Sequence, residues 1–146
     1  MLSPREAYYG QTEKLTELVH LCRELLRSKP DKDIGFGIES EVAMPLGKVA
    51  YCFRHRALRK EAIELLLDYP RKEGLTESLF LGKSSRFIAD VEEEGLGDEE
   101  YVPHYLATTL VETEFGRSRK TSRLVACYKN RLEPEKMERM ETFISW

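Results

Sequence analysis

Cys52 and His55 stand three positions apart, a spacing that puts a thiol and a base on one face of a helix, so nucleophilic catalysis is the first chemistry to weigh. Cys22 with His20 and Glu93 with His104 are the other pairings of reactive type. None is accompanied by a third group to orient the base or by donors for a developing oxyanion. No phosphate-cradling glycine loop, HExxH or GxSxG occurs. Metal binding fares no better. The three cysteines, Cys22, Cys52 and Cys127, lie 30 and 75 residues apart, and no Cys-x-x-Cys or paired histidine gives ligand spacing. Such a set reads as buried thiols in a reducing compartment, Cys22 falling on an apolar stripe. The expectation is a chain with no catalytic residues, metal or cofactor. The alternative is a small protein that binds or converts a metabolite in an inter-helix pocket.

Charge patterning carries more information than reactive groups do. The stretch Cys52-Phe53-Arg54-His55-Arg56-Ala57-Leu58-Arg59 opens a basic amphipathic segment that runs on to Arg71-Lys72-Glu73-Gly74-Leu75. Arg54, Arg56, Arg59 and Lys60 could meet an acidic partner or a phosphate. The blander expectation is a solvated helix face with intrahelical pairs to Glu61 and Glu64. Arg54, two residues after Cys52, is a candidate to tie down a carbonyl or carboxylate between the helical hairpins. Residues 117–123 hold Arg117, Arg119, Lys120 and Arg123, which read as a solvated hairpin tip that discourages edge-to-edge pairing. The acidic residues of 90–100 interleave with Val91, Leu96 and Tyr101 and read as a soluble loop, or as a small activation-type surface.

The elements that position these groups follow from periodicity. Residues 13–29 form a helix with Leu15, Leu18, Val19, Cys22, Leu25 and Leu26 at three- and four-residue steps, capped by Thr12 or Ser3 and stopped by Pro30. Residues 31–37 form a connection rich in breakers. A second helix begins near Ala43, which leaves Pro45 in its first turn, and ends near Phe53. A third spans 57–69 with an apolar arc broad enough for contact on two sides. Thr76 is a candidate cap for a fourth, which buries Leu79, Phe80, Phe87, Ile88 and Val91, leaves Glu92, Glu93 and Glu94 in solvent and ends at Gly95. Residues 106–115, 122–128 and 142–146 read as strands that must lie on the helices to be stable. The fold expected is mainly α: two helical hairpins in 1–100, with a small antiparallel β meander in 101–146 packed on them as one domain.

Bulk properties set the class. A chain of 146 residues buries roughly 68–70% of its unfolded surface on folding and needs no metal or disulfide for a core. Apolar content of 41% argues against disorder. A net charge of −3 offers phosphates no general attraction, so direct nucleic-acid binding is not expected. No signal-peptide or membrane-spanning stretch is present, and an intracellular, soluble protein is expected.

The segment from Cys52 to Leu75 also resembles part of the C-terminal regulatory region of fungal binuclear zinc-cluster transcription factors, where a "CR…LR..AI.LL…P.REG" string joins two helices. Further landmarks follow in the family's order: Glu92-Glu93-Glu94-Gly95, Val102-Pro103, a strand pair around 117–120, and Thr142-Phe143-Ile144-Ser145-Trp146. The likeness extends over residues 13–146. It implies a nuclear regulatory domain that acts by protein–protein contact, self-association or effector sensing, with Cys52, Arg54, Arg59, Arg71, Glu73 and Gly74 as partner-contacting or structural motif residues. Two departures stand out. The family's zinc-binding DNA reader, Cys-x2-Cys-x6-Cys repeated, is absent from this sequence, and with it the family's zinc. Thr76 occupies the place where the family often has Trp in "Gly-x-Trp-Asp-Ser", so a large buried anchor is missing there. The alternative to a regulatory factor is a stand-alone interaction or dimerisation module.

Overall fold

The computed structural model describes residues 4–28, 42–117 and 120–146, with side chains of the first helix described from Gln11 onward. That helix, α1 (Pro4–Ser28), starts well before the apolar periodicity does. The apolar stripe does not mark the start of the helix; between Pro4 and Thr12 only Gly10 opposes a helix, at about 1 kcal/mol. Thr12 therefore lies inside α1 and caps nothing; its hydroxyl meets the Tyr101 hydroxyl at 3.0 Å. The connection expected at 31–37 and the Ser3 cap lie outside the described residues.

Helix α2 (Ala43–Cys52) carries Pro45 in its first turn, where the missing N–H costs no hydrogen bond. Helix α3 (Arg56–Asp68) is capped by His55, whose Nδ1 accepts from Leu58 N–H at 3.2 Å. As its broad apolar arc implied, α3 packs on α2 along one side and on the fourth helix along the other. Between them Lys72–Glu73 (β1) and Thr76–Glu77 (β2) form a small antiparallel hairpin whose turn needs Gly74 at φ +60°. Thr76 is thus a strand residue and not a cap. Helix α4 (Ser78–Glu93) starts two residues later and gives way at Gly95, whose φ of +70° suits the position after a helix end.

The residues α4 buries differ from those its hydrophobicity suggested. Gly82, Ser84 and Ser85 are buried beside Ile88, Ala89 and Val91, whereas Leu79, Phe80 and Phe87 are only half-buried. Small side chains let α3 approach closely: a Cβ on Gly82 would stand 2.7 Å from Leu67 Cδ2.

A 3-10 turn (His104–Leu106) leads into a three-stranded antiparallel sheet of order β3 (Thr109–Phe115), β4 (Thr121–Lys129) and β5 (Met137–Ser145). The last strand begins five residues before the expected 142. Met137-Glu138-Arg139-Met140-Glu141 looks helical by propensity, yet it pairs with β4 without a break. One sheet face, with Ser122, Leu124 and Ala126 buried, turns toward α4. Phe80 of α4, Phe115 of β3 and Trp146 close the joint, with ring centroids 5.0–6.3 Å apart. The class is α+β rather than mainly α, the helical core being built from Val19, Leu26, Leu46, Ala50, Ala62 and Leu66 among others.

Candidate functional site: a buried charge clamp and an open groove

Two charges lie at the centre of the molecule. Arg59 on α3 and Glu92 on α4 are both 0% exposed, with Arg59 Nη1 2.6 Å from Glu92 Oε2. Arg59 Nε donates to the Ala50 carbonyl at 2.9 Å, which ties α2 into the same node. The other carboxylate oxygen accepts Arg54 Nη2 at 3.1 Å and the Thr108 amide at 2.7 Å. One carboxylate thus holds α3, the end of α2 and the chain entering β3. Glu92 was expected in solvent, and its burial is the largest correction to the sequence reading. A buried charge persists only when paired, and the Glu92 carboxylate has three donors, although Arg59 Nη2 and Arg54 Nε are left without a partner.

The rest of the basic segment continues this clamp. Arg56 Nε donates to Glu93 Oε2 at 3.0 Å, and its Nη1 reaches the carbonyls of Gly97 at 2.7 Å and Glu99 at 3.0 Å. His55 Nε2 lies 3.1 Å from Glu100 Oε1, and its ring stands edge-on to Tyr101 at 4.9 Å. Backbone bonds from Arg56 N–H to Glu100 and from Val102 N–H to Arg54 complete the strap, at 3.0 and 2.9 Å. The basic cluster and the acidic stretch, separate features in the sequence, are two halves of one intramolecular contact. Only Lys60, 3.9 Å from Glu64, makes the intrahelical pair expected; Glu61 pairs with Arg23 of α1.

Arg71, Glu73 and Gly74 also have structural tasks. The Glu73 carboxylate accepts from Val42 N–H at 3.1 Å and Ala43 N–H at 2.9 Å, so a residue 31 positions away caps α2. Arg71 Nε lies 2.8 Å from the same carboxylate. Gly74 supplies the left-handed turn that presents it. At the other end, Arg123 sits within β4 rather than on a hairpin tip and bonds Glu141 at 2.6 Å and Glu112 at 3.4 Å; Arg119 lies outside the described residues.

Reactive groups are dispersed. Cys22 is 4% exposed, and burial, reinforced by the Glu73 charge, pushes its thiol above the ordinary range. His55 spends its two ring nitrogens on Leu58 and Glu100, and Glu93 on Arg56, while His104 lies exposed in its 3-10 turn. Cys52 is exposed, contrary to the expectation that all three thiols are buried. Position 52 closes α2 on the side turned away from the core, which apolar content alone does not reveal.

Cys52 borders a groove in the helical part. Leu15 and Leu18 of α1 face Met44, Pro45, Lys48 and Cys52 of α2 across an open groove of about 730 Å³. Met44 is 42% exposed in this groove; elsewhere on α1, Leu21 and Leu25 are 53% and 45% exposed.

No family model, no curated protein and no solved structure matches this chain.

The geometry therefore stands on its own. Among the described residues no group of three or more His, Cys, Asp or Glu is placed to hold a metal ion. No described helix is long and apolar enough to cross a membrane. What the arrangement offers is an apolar contact surface on a frame locked by buried charge.

Two signals in the sequence point to the clamp. Arg59 falls in register with Ala62, Ile63 and Leu66, and Glu92 with Ser85, Ile88 and Ala89, so each charge interrupts the buried stripe of its helix. Opposite charges on two facing stripes are a recognisable pattern.

Proposed function

We propose that this chain is a non-catalytic regulatory interaction domain, and that its working surface is the groove between α1 and α2. The carrying observation is a division of labour. Arg54, Arg59 and Glu73 are occupied within the chain, whereas Met44 stands 42% exposed in a groove whose apolar walls include Leu15, Leu18 and Pro45. Soluble proteins rarely leave such residues together without a use for them. An amphipathic helix presenting apolar residues at three- and four-residue steps fits a trough of this kind, with Lys48 available to an acidic residue at its rim. The resemblance to zinc-cluster regulatory regions supports placing that contact in the control of transcription, in a fungal nucleus, with DNA reading done by another chain or segment.

A second reading rests on the groove's volume, which lies in the range of about 300–1,000 Å³ typical of small-molecule sites. An apolar effector would then occupy the same trough.

The test is a tethered reporter. The chain fused to a heterologous DNA-binding domain should change reporter output, and Met44→Glu in the groove should abolish that change without moving the urea midpoint. Output equal to the DNA-binding domain alone, or a variant without effect, would sink the proposal. Competition by an apolar compound that protects Cys52 from alkylation would favour the effector reading.

A further inference from the structure

The two free edges of the sheet are built differently. The pairing of β3 with β4 slips between Leu110 and Glu112, and the Leu110 amide donates to the Tyr51 hydroxyl at 3.3 Å. A bulge of this kind twists an edge away from further pairing. By contrast, β5 pairs with β4 over nine consecutive positions, with no bulge and no proline, and no described strand lies beyond it.

The direction of its backbone groups follows from three bonds. Trp146 N–H donates to Lys120, and the Lys136 carbonyl accepts from Asn130, so even-numbered residues of this strand turn toward β4. Odd-numbered residues turn outward, as the Ser145 carbonyl does in accepting from Lys83 Nζ. Lys83 closes that end. Met137, Arg139, Glu141 and Phe143 are left with outward amides and carbonyls. Their side chains lie on the face away from α4, where Met137 is 60% and Phe143 74% exposed.

We propose that this edge pairs with the same edge of a second copy, antiparallel about a two-fold axis through Met140, to give a six-stranded sheet across a homodimer. The row of side chains is self-complementary about that residue alone. With the axis at Met140, Arg139 lies opposite Glu141 of the second copy and Met137 opposite Phe143 of the second copy, each twice; Arg139 already meets Glu112 and Glu141 already meets Arg123 within the chain, so the cross-axis pairs extend a ladder of alternating charge. Both pairs stabilise a sheet when directly opposed. Moving the axis to Arg139 or to Glu141 sets a like charge against itself, which is unfavourable. The same axis brings Glu138 of the second copy opposite Thr142. On that face Thr142 borders a cavity of about 320 Å³ that Lys83 and Arg86 of α4 also line. Asp90 lines that cavity as well, so the charge complementarity of the joint rests on the Arg139–Glu141 pairs of the outer face. Outward row and partner row exchange every backbone hydrogen bond they have available, as in strand addition generally. A strand-only interface lies at the small end of the range for stable complexes, so the dimer is reversible and concentration-dependent. It does not depend on the groove.

The experiment uses the full chain, its mass followed over a concentration series by sedimentation. A monomer–dimer equilibrium is expected. Arg139→Glu should weaken it about tenfold or more by setting Glu opposite Glu, and the double exchange Arg139→Glu with Glu141→Arg should restore it in part, since it also sets like charges beside Glu112 and Arg123 within each chain. In a Cys52→Ser, Cys127→Ser background, Met140→Cys should oxidise rapidly to a covalent dimer and Phe143→Cys should not. A chain that stays monomeric at the highest soluble concentration overturns the proposal. So does association that survives Arg139→Glu but is lost with Met44→Glu, which would assign it to the groove instead.

Discussion

Removing the Glu92 carboxylate is the sharpest perturbation the structure offers. In Glu92→Ala, Arg59 keeps only the Ala50 carbonyl, and its guanidinium, 0% exposed, has no route to water. Breaking a buried pair from one side typically costs about 3–5 kcal/mol. The Thr108 amide, 5% exposed, loses its acceptor as well, which by itself is worth about 1–3 kcal/mol. The two losses share one carboxylate and do not add fully, so about 4–5 kcal/mol is expected. That is a large part of the roughly 5–15 kcal/mol that holds a domain together. In urea it corresponds to a midpoint shift of about 2 M, and in a thermal scan to about 10–20 °C. Arg54→Ala removes a partner of the same carboxylate but should cost only about 1–2 kcal/mol, because the Arg54 side chain is 19% exposed and Glu92 retains its other partners. The decisive construction is the cycle. Arg59→Met with Glu92→Met replaces the pair by apolar groups and should recover at least about 2 kcal/mol relative to the sum of the single changes. Urea unfolding would be followed by far-UV circular dichroism for the helices and by Trp146 fluorescence for the sheet joint. A Glu92→Ala cost under about 1 kcal/mol, or strict additivity in the cycle, would refute the clamp as the node of the fold.

Other outcomes follow from single contacts. Gly82→Ala should destabilise: the helix-propensity gain of about 1 kcal/mol is outweighed by overpacking of about 1–3 kcal/mol, because the new methyl meets Leu67 and, at 3.2 Å, Leu66 Cβ. Gly47→Ala, whose methyl meets only the mobile end of Leu81 at 2.9 Å, should stay within about 1 kcal/mol of the parent in the same denaturation assay. Glu73→Gln should cost about 1–2 kcal/mol by weakening the α2 cap, and amide exchange at Val42 and Ala43 should accelerate. Near pH 8 an alkylating reagent should label Cys52 first. Cys22 should react only on global unfolding, since burial hides the thiol and its raised pKa keeps it protonated.

Periodicity, breakers and charge patterning located much of this architecture without coordinates. Three- and four-residue spacing placed the helices around 43–52 and 56–68 within a residue or two, because burial of one face is what makes them helical. Pro45, Pro70 and Gly95 act locally through fixed or permissive dihedrals, so their meaning survives any tertiary context. The α4 start was misplaced because a two-residue hairpin needs a partner strand, Lys72–Glu73, that no local rule announces. The early part of β5 was missed for the same reason: Met137 to Glu141 are extended because β4 lies beside them.

What the chain determined by itself was therefore local: where helices and turns form, which faces are apolar, and the absence of a recognisable catalytic motif. Which charges meet was decided by tertiary structure alone. Arg59 and Glu92 are 33 residues apart, and Arg56 and Glu93 37. Each charge reads as solvated until the fold removes water from around it. Only then does the low dielectric around Arg59 and Glu92 turn them into the node that holds the helices to the sheet.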